Sequence, residues 1–168
     1  MTPAELWTAA QGLHLNDQIL AEMLGVEDRT VRRWRAGQRR IPAGVAEELA
    51  RLEAEIDRIA GEHVASVKQL AADQGGLPSA VALLLYRDSA DVEQWQPGFV
   101  QSFGWPGAAS LHAAVVTRVR RDLMRFGIAI RVVWMDSERY AAWLAETGAA
   151  DSPATRAAWA AIEASGED

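Results

Sequence analysis

The sequence predicts a mainly α-helical protein with a small α/β part. Three observations point there. Through the first third of the chain, apolar residues recur at helical spacing between good capping residues. From Ile41-Pro42 onward, some thirty residues keep a helical register without a break. Two short apolar runs, residues 80–86 and 128–135, flank a further helical pattern, the layout of a βαβ unit.

Residues 3–13 predict a first helix. Thr2 suits its cap, Pro3 its first position and Glu5 its first turn, and Leu6, Ala9, Ala10 and Leu13 form its apolar face. Asn16 caps a second helix over residues 17–24, with Ile19, Leu20, Met23 and Leu24 as its stripe, and Gly25 ends it. Val26 plugs the core, Asp28 is expected to cap a third helix over residues 29–36, and Gly37 closes that helix. A short helix, a glycine turn and a second helix with an inner face of Val31 and Trp34 have the spacing of a helix-turn-helix.

The long helix runs to about residue 74, and at 1.5 Å per residue it spans roughly 45 Å. Val45, Leu49, Leu52, Ile56, Ile59 and His63 repeat as a heptad seam, and Val67 and Leu70 follow one position late, as in a stutter. Such a seam fits either a second subunit or the chain's own C-terminal part. Intersubunit contact is the expectation, with His63 a satisfied interfacial histidine and not a pH sensor. Gly75, Gly76 and Pro78 break the helix. Then come a buried strand (80–86), a short helix (88–96), an irregular loop through Gly107, a helix (110–126) stopped by Gly127, a second strand (128–135) and two helices (137–147 and 152–165). Two strands alone make a poor sheet, so pairing with a partner subunit is expected. The implied division is residues 1–44 for the helix-turn-helix, 45–74 for the connecting helix and 78–168 for a dimerisation domain.

Composition narrows the function classes. The chain has 168 residues, 49% of them hydrophobic, and no cysteine. Disulfides, thiolate metal sites and cysteine nucleophiles are thereby excluded. No stretch approaches eighteen consecutive apolar residues and the first residues lack a leader pattern, so a cytoplasmic protein without membrane contact is expected. His14, His63 and His112 lack metal-ligand spacing, and no glycine-rich phosphate loop occurs, so neither a cofactor nor an enzyme activity is expected. A catalytic rival would need the βαβ region to gather Arg87, Asp88 and Asp136 into a cleft.

Charge points elsewhere. The chain has net charge -6, yet residues 29–40 hold six arginines and no acid. Residues 1–44 are net +1 and residues 41–168 net -7. An acidic body with one basic face orients a protein on a polyanion. With Val31 and Trp34 inward, Arg29, Thr30, Arg32, Arg33 and Ala36 turn outward or to the flanks. Arg29, at the helix start, is the first choice for reading a base edge, since its fork fits the two acceptors of guanine. Arg32 and Arg33 read bases or hold phosphates. Thr30 and Gln38 are phosphate donors, and Arg35, Arg39 and Arg40 grip the backbone. Double-stranded DNA is the expected partner, with RNA a second polyanion that the same charge would accept. On the helix after the loop, Arg118, Arg121 and Arg125 share a face, and ion pairs with the acidic body are its expected role. Trp95, Trp105, Phe99 and Phe103 are candidates for an exposed interaction surface.

Thr2-Pro3-Ala4-Glu5-Leu6, the run from Glu27 through Arg29-Thr30-Val31-Arg32-Arg33-Trp34 to Gly37, Ile41-Pro42-Ala43, Leu85-Tyr86-Arg87-Asp88 and Gly104-Trp105 also carry a likeness. In these the chain resembles anti-CRISPR-associated autorepressors and YdiL-like regulators of the Xre-like superfamily, most fully over its N-terminal third. The resemblance implies a homodimeric transcriptional repressor on an inverted-repeat operator, autoregulating a phage or mobile-element operon. A rival reading makes the C-terminal part a DNA-tethered module that senses a ligand or recruits a protein. Where that family often has Trp-Glu-Ser-Gly or Trp-Glu-Ala-Gly, this chain has Trp34-Arg35-Ala36-Gly37. The base in place of an acid is expected to raise nonspecific phosphate affinity.

Overall fold

The computed structural model describes residues 1–103 and 106–166. Gly104 and Trp105 lie outside the described residues. Three short helices come first: α1 (Pro3–Gly12), α2 (Asp17–Met23) and α3 (Asp28–Arg35). Thr2 and Glu5 close a capping box on α1, the Thr2 side chain accepting from the Glu5 N–H and the Glu5 carboxylate from the Thr2 N–H. Asn16 Oδ1 accepts from Ile19 N at 2.8 Å and starts α2. Gly25, at φ 64°, turns the chain out of α2. The start of α3 differs from expectation. Glu27 is its cap, without a side-chain bond, and Asp28 is its first helical residue. There the Asp28 carboxylate favours the positive helix end and is paired with Arg32 one turn on.

The long helix, α4 (Ala43–Gln74, 32 residues), spans about 48 Å. Its buried line is Val45, Leu49, Leu52, Ile56, Ala60, Val64 and Ala71. From Leu52 the steps are four residues three times over, so the line leaves the expected seam at Ile56. Ile59 is half-buried and His63 is exposed. A straight helix at 3.6 residues per turn drifts in this way from a seven-residue repeat. The line is also covered within the chain, by α1 and by α7 (Ala108–Met124), and this corrects the intersubunit expectation. One apolar cluster therefore runs from Leu6 and Leu13 through Leu49, Ile56 and Leu111 to Leu123. It crosses the boundary at residue 44. Polar ties reinforce it: Arg118 pairs with Asp57 and its Nη1 donates to the Gly12 carbonyl at 3.0 Å.

The remaining elements are β1 (Ala80–Leu85), α5 (Ser89–Trp95), α6 (Pro97–Phe103), β2 (Ala129–Trp134), α8 (Ser137–Thr147) and α9 (Pro153–Gly166). β1 and β2 pair in parallel with Ala80 opposite Ala129 and Leu85 opposite Trp134, and α7 forms the crossover. Val81, Leu83 and Ile130 pack with the main cluster, whereas Ala82 and Leu84 join Val133, Ala160 and Ala164 on the α9 side. β1 is half-buried from Val81 to Leu85 rather than fully buried, whereas β2 is exposed at four of its six residues, with only Val133 buried. The expected loop after residue 96 instead holds α6, in which Pro97 occupies a first-turn position that needs no N–H donor. Its Phe103 is buried, and Phe99 and Trp95 are half-buried, so these three are packing residues and not an exposed surface. Trp95 donates from Nε1 to Ser137 Oγ at 2.8 Å and meets the Tyr140 ring edge-on.

His112 of α7 is 7% exposed. Desolvation, then the positive charges of His63 and Arg156, push its pKa down to about 3.

Among the described residues no helix is long and apolar enough to cross a membrane.

Ile56→Ala, at a fully buried position facing both halves, is expected to cost about 2–5 kcal/mol by denaturant unfolding. His112 gives a pH test. Its folded pKa lies below the unfolded value near 6.5, so the unfolded chain takes up a proton that the fold refuses. Its contribution is complete above about pH 6.5 and is lost as pH falls towards 3. Stability is expected to drop by roughly 2 kcal/mol between pH 7 and 5, and His112→Gln to flatten that part of the slope.

Candidate nucleic-acid interface

The sequence pattern of α3 sorts its side chains by sign and polarity. Val31 and Trp34 are buried against the cluster, at 0% and 2% exposure, and fix the rotation of the helix. Arg29, Arg32, Arg33 and Ala36 are all exposed, on the side opposite that anchor. α2 is the main neighbour of α3, and the turn through Gly25 and Val26 joins them; Val26 is half-buried on the core.

The arginines divide by partner. Arg29 is paired with Glu27, and Arg32 Nη2 lies 2.6 Å from Asp28 Oδ2. Both are open surface pairs, which contribute about 0–1 kcal/mol and yield readily to a phosphate or base. Arg33, Arg39 and Arg40 have no acidic partner among the described residues, and all three are exposed, as is Gln38. Thr30 is half-buried. With Glu27, Trp34, Arg39, Pro42 and Gly44 it borders a shallow groove between α3 and the start of α4. The first turn of α4 has no side-chain cap; Pro42 is its cap residue, and the Val45 N–H donates to the Pro42 carbonyl at 3.2 Å.

Arg35 does not join this face. Its Nε lies 2.9 Å from Asp17 Oδ1, and its guanidinium sits 4.4 Å from the centre of the Trp7 ring. The side chain is 16% exposed. The N–H is not aimed along the line to Asp17, so the attraction is charge on charge rather than a linear hydrogen bond, and Nη2 has no partner. Arg35 thus straps α3 to α2 and α1. The expected backbone grip by Arg35, and with it the expected gain in phosphate affinity over an acid, is corrected by this inward placement. Trp7, half-exposed, is the stacking platform for that strap.

Two side chains at the reading end were missed. Glu27 and Asp28 stand at the start of α3, where a carboxylate can accept from the amino group of cytosine. Their positions four and three residues before Val31 are the available signal. The second arginine group has the expected partners, Arg118 with Asp57, and Arg121 and Arg125 both with Asp122. Arg87 and Asp136 border one groove, with Arg139 and Glu163, but Asp88 is not in its lining. Asp88 and Asp136 each accept from a backbone N–H as helix caps, and Arg87 lies over the Trp134 ring. Among the described residues no group of three or more histidines and acids could hold a metal ion.

No protein-family model matches the chain, and no curated protein matches it.

Arg35→Ala is expected to destabilise the fold by about 1–3 kcal/mol, through the lost pair and the lost packing on Trp7. Arg33→Ala is expected to stay within about 0.5 kcal/mol. Thermal melts of the two variants separate a strap from a free surface cation.

Proposed function

We propose that the protein is a sequence-specific DNA-binding repressor in which α2 and α3 form a helix-turn-helix. The supporting observation is the outward face of Arg29, Arg32 and Arg33, set on a helix whose opposite side is locked by Val31 and Trp34. In this reading α2 braces across the backbone and the N-terminal end of α3 enters the major groove. Arg29 reads a guanine edge, with Glu27 and Asp28 released to solvent or to a cytosine amino group. Arg33, Arg39 and Arg40, without acidic partners among the described residues, take phosphates. The acidic body repels DNA from every other side. Repression follows from occupancy of the operator, and no catalysis is involved.

A homodimer fits this role, since two half-sites one helical turn apart need two reading helices about 34–36 Å apart. The surface that supports it is apolar. Met124, Phe126, Leu77, Val132 and Trp134 are large side chains left 41–50% exposed near the ends of α7 and along the sheet. Autoregulation of a phage or mobile-element operon rests on the N-terminal likeness to the Xre-like autorepressors. A DNA-tethered module with a sensing C-terminal part is the second reading, favoured by a cavity in that part.

Footprinting and titration on the DNA upstream of the protein's own coding sequence test the reading. Arg29→Ala is expected to weaken specific binding by about 1–3 kcal/mol while leaving nonspecific binding nearly unchanged. Arg39→Ala is expected to weaken all sequences alike and lower the salt slope by about 1. Parent-like specific affinity in Arg29→Ala would sink the assignment of α3 as the reading helix.

A further inference from the structure

The sheet ends on an open strand. β1 and β2 pair in parallel, and among the described residues no third strand lies beyond either edge. The two edges differ. α9 packs more on β1 than on β2, and β1 is half-buried from Val81 to Leu85. β2 is exposed at Ala129, Arg131, Val132 and Trp134. It carries the edge that another molecule can reach.

The ladder fixes which backbone groups that edge presents. The Ala129 N–H donates to the Ser79 carbonyl at 3.0 Å, and the Met135 N–H to the Leu85 carbonyl at 2.8 Å. Along a strand the N–H and C=O of one residue point to the same side, and successive residues alternate. With Ala80 opposite Ala129 and Leu85 opposite Trp134, the residues Ala129, Arg131 and Val133 turn these groups towards β1. Ile130, Val132 and Trp134 turn theirs outward. The side chains of these three share one face, on which Ile130 packs against the main apolar cluster. On that same face Val132 is 41% and Trp134 48% exposed. Proline and lysine, common guards of a free edge, are absent from β2. Arg131 is its one charged residue, and that side chain lies on the other face and is engaged within its own chain.

The outward set is centred on Val132 and reads alike from either end. We propose that a second copy of the chain pairs there, β2 on β2, antiparallel about a twofold axis at Val132. Val132 then faces the partner's Val132, and Ile130 faces the partner's Trp134. Each facing pair exchanges two N–H···O bonds, so every outward donor of the three residues meets an acceptor. On the apolar face the two Val132 side chains meet across the axis, and each Trp134 covers the partner's Ile130. The product is a closed dimer with strand order β1-β2-β2-β1. Pairing β2 with the partner's β1 would instead repeat without closing, and β1 is the strand that α9 mainly covers. A stable interface covers about 800 Å² on each partner. Met124 and Phe126, exposed just before β2, extend the apolar patch past the strand. This inference deepens the homodimer of the proposed function by giving its interface. Its tests need no DNA, so a failure of operator binding leaves it intact, and a monomeric chain leaves the assignment of α3 standing.

Sedimentation of the full chain and backbone amide exchange by NMR are the experiments. The parent is expected to sediment at twice its 18.3 kDa mass at micromolar concentration. In the dimer the N–H groups of Ile130, Val132 and Trp134 are expected to exchange at least about tenfold more slowly than in the diluted chain. Those of Arg131 and Val133, bonded to β1, are expected to be protected in both. Val132→Lys sets like charges opposite each other at the axis and is expected to weaken dimerisation by at least about a hundredfold. Val132→Pro removes an outward N–H, spares the ladder to β1, and is expected to act in the same direction. The exchange pattern needs no variant, so it decides the outcome should either substitution disturb the fold. A monomeric parent overturns the proposal. So does a dimer whose dissociation constant neither substitution moves, or one in which the amides of Ile130, Val132 and Trp134 exchange freely.

Discussion

The apolar line along α4 is the constraint on which the other parts depend. Leu49, Leu52 and Ile56 are at most 1% exposed, and the same helix covers α1 at one end and α7 at the other. Each such side chain contributes about 1.5–3 kcal/mol of burial, and α7 adds its own tie to the first half where Arg118 donates to the Gly12 carbonyl. Helix α3 is therefore not a bead on a tether. Its anchor residues, Val31 and Trp34, belong to the same cluster as Leu111 and Leu123 of α7. The cavity behind His112 borders that same face of α7, at Val115 and Val119.

Within the N-terminal helices, six arginines share a short segment and do three different things. Arg29 and Arg32 stand in weak surface pairs with acids of their own helix start. Arg33, Arg39 and Arg40 have no acidic partner among the described residues. Arg35 is withdrawn into a contact with Asp17 and Trp7 that stiffens the unit carrying the others. Cations held on a rigid helix lose less entropy on contact with any anion than cations on a flexible tail.

Local chemistry made most of the elements legible. Thr2, Asn16, Asp88 and Asp136 announce helix starts because each carries an oxygen at the position where an N–H lacks a partner. The outward face of α3 followed from the spacing of Val31 and Trp34 alone. Three failures share a cause. Arg35 looks like its neighbours until Asp17 and Trp7 come to it from other helices. The seam on α4 looks intersubunit because α7, its cover, lies far along the chain. Pro97-Gly98 looks like a break, and only the burial of Phe103 reveals a helix. Glu27 and Asp28 were one position ambiguous, since either acid suits a helix start. The cavity beside His112 was illegible for the same reason as Arg35, because its polar groups come from α4, from the end of α5, from α7 and from α9.

The parallel pairing of Ala80 with Ala129 has a consequence for the order in which the protein is made. The two strands meet across nearly fifty residues of intervening chain. Closing a loop of that length costs entropy before any ladder bond repays it, so helices gain on the sheet in the race to form. On the ribosome, α4 emerges complete while α7 is still unsynthesised. Its lower half, from Ala60 to Ala71, then shows an uncovered apolar stripe to the solvent. That interval ends only when α7 docks, and the strands zip together afterwards. The step most exposed to misassembly is thus the wait for a single helix.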